Sequence, residues 1–156
     1  MSFLTKSTAV RMSLSLSMAL VCVSGMATER GTREEAIAMV KKAIAQIKKD
    51  GLDKTVAAVN DRNGSYIDRD LYVMIYDLKG KNLAHGGNPK MIGKDLYDIR
   101  DVDGVYFIRD RIEIAKTKGT GWQNYKFVNP VSKAVEPKSL YIERAGDVVV
   151  TSGVYN

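Results

Sequence analysis

The chain has 156 residues, with 24 Lys and Arg against 18 Asp and Glu, a formal net charge of +6, one histidine and one cysteine. A single His and a single Cys exclude a structural zinc site, and the basic residues are interleaved with acids instead of forming the clustered stripe of a nucleic-acid surface. The length suits one domain with one core.

In chain order, Lys6 and Arg11 precede an uncharged run from Met12 to Val23, followed by the small-x-small triplet Gly25-Met26-Ala27 and the polar Thr28-Glu29-Arg30. This is the order of a cleavable secretory signal over residues 1–27, and the run is shorter than the roughly 20 apolar residues a membrane helix needs. The expected mature domain is residues 28–156, periplasmic or secreted, without stable membrane insertion. Cleavage removes Cys22, and with Lys6 and Arg11 gone the net charge falls from +6 to +4. Val21 before Cys22 argues against a lipid anchor, where a small residue is normal.

Ile37, Val40, Ile44 and Ile47 recur at helical spacing, which predicts an amphipathic helix over Thr32 to Lys49. Thr32 caps it, Glu34 and Glu35 favour its first turn, Lys48 and Lys49 its last, and Gly51 stops it. A short helix from Asp53 to Val59 follows, then turn chemistry at residues 60–64. Leu71 to Tyr76 reads as a strand that Asp77-Leu78-Lys79-Gly80 turns into Lys81 to His85. His85 to Asp103, rich in Gly and Asn-Pro, reads as a loop crossing the sheet. A third helix is expected from near Asp103, with Val105, Ile108, Ile112 and Ala115 on one face. Strands over residues 121–128, 135–144 and 147–155 complete an α+β pattern of helices on an antiparallel sheet.

Few constellations carry chemistry. Setting Gly104 at position six of a calcium loop puts Ile99 at the first ligand position, so Asp98, Asp101 and Asp103 fail as an EF-hand. His85 would have to serve Ser139 or Ser152 as base without a nucleophile elbow around either. There is no glycine-rich phosphate cradle, and no cofactor is expected. What remains is an aromatic and basic set: Tyr72, Met74, His85, Trp122, Tyr125, Lys138 and Tyr141, with Tyr106 and Phe107 at the start of the third helix. Each of these also has an ordinary structural reading. Lys138 is the sharpest, because strand alternation points it the way Leu140 and Ile142 point. A lysine in an apolar layer needs an anion, either a protein carboxylate such as Glu113 or Glu143 or a ligand.

The order of pieces resembles the single Cache domain of chemoreceptor sensors. It runs through Asp70 to Asp77, Leu83-Ala84-His85, Asn88-Pro89-Lys90, Ile92-Gly93-Lys94, Gly119-Thr120-Gly121-Trp122, Tyr125, Asn129-Pro130, Glu136-Pro137-Lys138-Ser139, Tyr141 and Gly153-Val154-Tyr155. The resemblance implies a PAS-like antiparallel sheet of about five strands, a long N-terminal helix on one face, and a helix and loop layer over a ligand pocket on the other. It implies non-enzymatic sensing of a small organic acid such as acetate, propionate or pyruvate, feeding chemotaxis or other signal transduction. His85, Trp122, Tyr125, Lys138 and Tyr141 are the matching pocket positions. A receptor of this family would continue into a membrane helix. This sequence ends at Asn156, so the expected partner is a separate membrane receptor or kinase, with docking on it as the alternative role.

Overall fold

A computed structural model describes residues 29–156; the proposed signal lies outside them. Helix α1 spans Arg33–Asp50 and begins with a reciprocal capping box: Thr32 Oγ1 accepts the Glu35 N–H and the Glu35 carboxylate accepts the Thr32 N–H. Its buried stripe is Ala36, Val40, Ala43 and Ile44, with Ile37 and Ile47 only half-buried. The stripe is rotated from the expected one because small Ala36 and Ala43 let the helix lie close to the sheet. Gly51, at φ 90°, turns α1 straight into α2, Leu52–Asn60.

The expected strand from Leu71 to Tyr76 divides in two. Strand β1, Ile67–Asp68, pairs with β2, Leu71–Tyr72, while β3, Met74–Asp77, enters the main sheet. Val73 is the switch point, its N–H donating to Tyr66 and its carbonyl accepting the Gly86 N–H. Strands β4, Asn82–His85, β5, Thr120–Val128, β6, Val135–Ala145, and β7, Val148–Tyr155, complete an antiparallel sheet in the order β4-β3-β7-β6-β5. This is the PAS-like arrangement expected. Central β7 is buried along its whole length because both faces are covered. At Gly153 a Cβ would stand 2.4 Å from the Ser139 carbonyl oxygen, so β7 approaches β6 this closely only with glycine there.

One face packs Val73, Ile75, Val148 and Val150 under α1 and α2. The other carries Tyr72, Met74, Tyr76, Tyr125, Leu140, Ile142 and Tyr155, covered by α3, Phe107–Thr117. Helix α3 starts at Phe107 rather than near Asp103, since Asp101 and its neighbours form a tight turn instead. The connection from β4 to α3 crosses the sheet, as expected. It is tied to β4 by the Asn82 N–H on the Lys94 carbonyl and the Gly93 N–H on the Asn82 carbonyl. At the far edge, Asp101 accepts the N–H groups of Asp103, Val105 and Lys126 on β5. That use of its oxygens answers the failed calcium reading. In the β5–β6 turn the left-handed residue is Lys133, φ 62°, so Ala134 needs no glycine-like conformation.

Candidate functional site

The α3 face of the sheet holds a row of three side chains fixed by strand register: Tyr125 on β5 opposes Lys138 on β6, which opposes Tyr155 on β7. Lys138 is 1 % exposed, and alternation places it in one line with buried Leu140 and Ile142. Its Nζ lies 3.8 Å from the ring centre of Tyr72 and 4.3 Å from that of Tyr155, and donates to the Tyr155 hydroxyl at 3.3 Å. The Tyr155 hydroxyl in turn donates to the Val128 carbonyl at 2.9 Å and lies 2.9 Å from the Tyr72 hydroxyl. Neither Glu113 nor Glu143 reaches Lys138: Glu143 accepts from Tyr141 on the opposite face, and Glu113 lies on the exposed side of α3. Among the described residues Lys138 has no carboxylate within ion-pair distance.

A second cation comes from α3. Arg111 is fully buried, with Nε 3.4 Å from Gln123 Oε1, and its guanidinium sits over the rings of Tyr76, Tyr125 and Phe107 at 5.0, 5.3 and 5.5 Å. Gln123 is oriented for this by donating its Nε2 to the Phe107 carbonyl at 2.7 Å. Burial pushes Tyr125 up to about 12 and raises Tyr76, while nearby Arg111 pulls both phenols down. Neither hydroxyl makes a well-formed hydrogen bond to it, and Arg111 Nη1 and Nη2 are buried without a partner. Native proteins leave few such groups, and each asks for an explanation.

His85, on β4 beside Met74 of β3, stacks on Tyr72 with ring centres 5.3 Å apart. Its Nδ1 accepts the Asn88 N–H at 2.9 Å, which fixes the neutral tautomer with the proton on Nε2. Burial, then the charges of Lys138 and Arg111, lower its pKa to about 3. His85 is therefore neutral in the folded domain near neutral pH, with Nε2–H as its donor. Beside Tyr72 a cavity of about 300 Å³, lined by Gly87, Asn88, Arg62, Phe127, Pro130 and Lys133, opens toward the surface. Gly87 packs flat on the Tyr72 ring, where a Cβ would come within 2.8 Å.

The structure thus brings together Tyr72, Met74, His85, Phe107, Tyr125 and Lys138. It does not bring in Trp122, Tyr141 or Tyr106. Trp122 and Tyr141 form a cross-strand pair on the opposite face, ring centres 5.4 Å apart, with Arg33 of α1 over the indole at 4.2 Å. Each is three residues from a pocket residue, Tyr125 or Lys138, and an odd step along a strand reverses the face. Tyr106 precedes α3 and lies between the surface side chains of Arg100 and Arg109. Arg111, Tyr76, Gln123 and Tyr155 belong to the same buried cluster, and the sequence reading did not single them out as site candidates. The signal for Arg111 was present, since 108, 111, 112 and 115 complete one helical stripe.

A five-stranded antiparallel sheet with a long helix behind it and a cross-sheet loop and helix over a buried cage holding a lysine and an arginine defines a PAS-like sensor-domain fold. The family model for single Cache domain 2 matches residues 4–156, and the chain belongs to that family. The match begins inside the stretch read as a signal. A methyl-accepting chemotaxis protein, McpP of Pseudomonas putida, is 33% identical over 90 residues, 56% of this chain but 16% of that receptor's length. Among solved structures, a methyl-accepting chemotaxis protein from Vibrio parahaemolyticus superposes with a TM-score of 0.67 at 25% identity, covering 78% of this chain and 86% of that one. A Cache chemosensory domain described in terms of carboxylic acid recognition gives 0.65 at 23% identity, covering 78% and 91%, a likeness of fold. This chain therefore spans only a small part of the receptor it matches in sequence, and no described helix is long and apolar enough to cross a membrane.

Proposed function

We propose that this domain binds a small organic anion, a short carboxylate such as acetate, propionate or pyruvate, outside the cytoplasm, and that the bound state is read by a membrane chemoreceptor or kinase. The observation that carries this is the Arg111 guanidinium, buried with Nη1 and Nη2 unpartnered and facing the same cage as a buried lysine that has no carboxylate. A carboxylate accepts two parallel N–H bonds from a guanidinium fork, and Lys138 and His85 Nε2–H supply further donors, while the Tyr155 and Tyr72 hydroxyl protons are held by the Val128 carbonyl and by Tyr155. Met74, Phe107, Tyr125 and the tyrosine rings wall the organic part. The kinship with a methyl-accepting chemotaxis protein supports the link to chemotactic signalling.

Ligand size bounds the affinity. At a ceiling of about 1.5 kcal/mol per heavy atom, acetate reaches roughly 6 kcal/mol, tens of micromolar, and a six-atom keto acid about micromolar. Titration calorimetry of the purified protein with acetate, propionate and pyruvate tests the reading. The expected result is micromolar to millimolar binding by at least one acid, lost in Arg111→Ala. Absence of binding by all of them, or an unaffected Arg111→Ala, overturns it. Export is tested separately: the protein recovered from the periplasm should begin at Thr28.

A further inference from the structure

The two cations of the cage are not equivalent. A guanidinium stays protonated at every accessible pH, whereas a lysine ammonium can release its proton when burial disfavours the charge. Lys138 Nζ makes one hydrogen bond, to a tyrosine hydroxyl, and is otherwise enclosed by ring faces. The groups that face it come from several elements: Tyr72 from β2, Tyr155 from β7, Tyr125 from β5, Arg111 from α3 and His85 from β4. The three phenols are held neutral by burial, His85 is neutral through its Nδ1 contact, and Arg111 adds a second positive charge. A nearby carboxylate, Asp70, favours the ammonium from beyond ion-pair distance; its Oδ1 accepts the Gly31 N–H at 2.7 Å and its buried Oδ2 has no hydrogen-bond partner. The quadrupoles of two tyrosine rings also favour the ammonium. Burial and Arg111 outweigh them, and hold Lys138 well below the usual lysine range.

Resting on the proposed function, we propose that the pocket takes up its anion together with a proton, which comes to rest on Lys138 Nζ. Without an anion, Lys138 stands as the neutral amine beside Arg111. When a carboxylate meets the guanidinium, its negative charge lies next to Nζ and the ammonium becomes the favoured form. One N–H bond forms, the proton comes from solvent or buffer, and the ligand stays a carboxylate. The site then responds to the anion and to acidity together, which is the combination an acid-excreting environment presents.

Calorimetry in buffers of different ionisation enthalpy reads the proton directly. The probes are propionate and ethanesulfonate, the second being an anion that never protonates in this range. Both should bind with uptake of up to one proton at every pH where the free protein holds Lys138 neutral and the complex holds it charged, and across that range affinity should weaken with rising pH by up to about tenfold per pH unit. In protein labelled with ¹³C-lysine, the Lys138 Cε signal, identified by its absence in Lys138→Met, should move to its ammonium position when propionate is added. Lys138→Met should melt no lower than the parent, because the buried amine it removes has one long hydrogen bond and no ion pair to set against its burial.

Binding of propionate without buffer dependence overturns proton uptake while leaving the proposed function standing. So does an ammonium signal already present in the free protein. Uptake with propionate but not with bound ethanesulfonate places the proton on the ligand and overturns the assignment to Lys138. Failure of both probes to bind overturns the functional reading itself.

Discussion

Replacing Arg111 by methionine separates a ligand-binding arginine from a structural one. Two buried guanidinium nitrogens lack partners, and leaving such groups unsatisfied costs about 1–3 kcal/mol each. Against this, three ring-face contacts at 5.0–5.5 Å contribute about 0.5–1 kcal/mol each, and the 3.4 Å contact to Gln123 adds about half a kcal/mol. The balance favours methionine by about 1 kcal/mol in the ligand-free protein, in line with buried ionic groups that give way to apolar residues without loss. For a domain of this size that is a rise of roughly 3–5 °C in melting temperature. The assay is a thermal melt of dialysed protein followed by a propionate titration. Arg111→Met should melt higher and should no longer be stabilised by propionate. A fall in melting temperature, or an undiminished response to propionate, would refute the argument, because the first makes Arg111 a support of the core and the second removes it from the pocket.

Tyr155→Phe leaves the buried Tyr72 hydroxyl and the Val128 carbonyl without their shared partner, so denaturant unfolding should show a loss of about 1–3 kcal/mol with weaker propionate binding. Gly153→Ala drives a Cβ into the β6 backbone; a loss above about 3 kcal/mol or failure to fold is expected, and near-neutral stability would contradict the close β6–β7 approach. His85 titrates near 6.5 when unfolded and at about 3 when folded. Between those values the unfolded chain binds more protons, so stability is fully present above about pH 6.5 and falls by up to roughly 1.4 kcal/mol per pH unit on acidification. Thermal melts of His85→Gln should show a shallower acid limb over that window, and an unchanged slope would show that His85 is not the buried neutral group described. As the sole histidine, it also gives one imidazole NMR signal, which should report an Nε2–H tautomer at neutral pH.

What could be read from the sequence followed the strength of each local signal. The α1 cap, the Asp77–Gly80 turn and the sheet strands were legible because periodicity, capping chemistry and turn residues agreed with one another. The division of the 71–76 strand at Val73 was not, since it depends on the Tyr66 and Gly86 backbone partners that only the folded chain supplies. Within the site, Lys138 was found by asking which way alternation points a charged side chain. The same question applied to Trp122 and Tyr141 would have removed them, because both are an odd number of residues from the pocket row. Arg111 was passed over because a charged residue was left out of the apolar stripe it belongs to.

The row Tyr125, Lys138 and Tyr155 also explains how a small charge change in the cage can be felt at the ends of the domain. Tyr155 receives Lys138 through its hydroxyl and is followed by Asn156, whose N–H donates to the Pro137 carbonyl and whose carbonyl accepts from Arg30. Arg30 also pairs with Glu136 on β6, two residues before Lys138. Asp70, the carboxylate that favours the Lys138 ammonium, holds the Gly31 N–H just before α1 begins. The pocket and the last residues of β7 are therefore linked by direct contacts, and the approach to α1 is linked to Lys138 through the charge of Asp70, which acts without touching it. On the proposed proton uptake, a ligand that changes the charge of Lys138 is expected to act on β7 and on the start of α1 at once. If that link operates, hydrogen exchange at Gly31 and Asn156 should slow on propionate binding, and Asp70→Asn should uncouple Gly31 while leaving the response at Asn156.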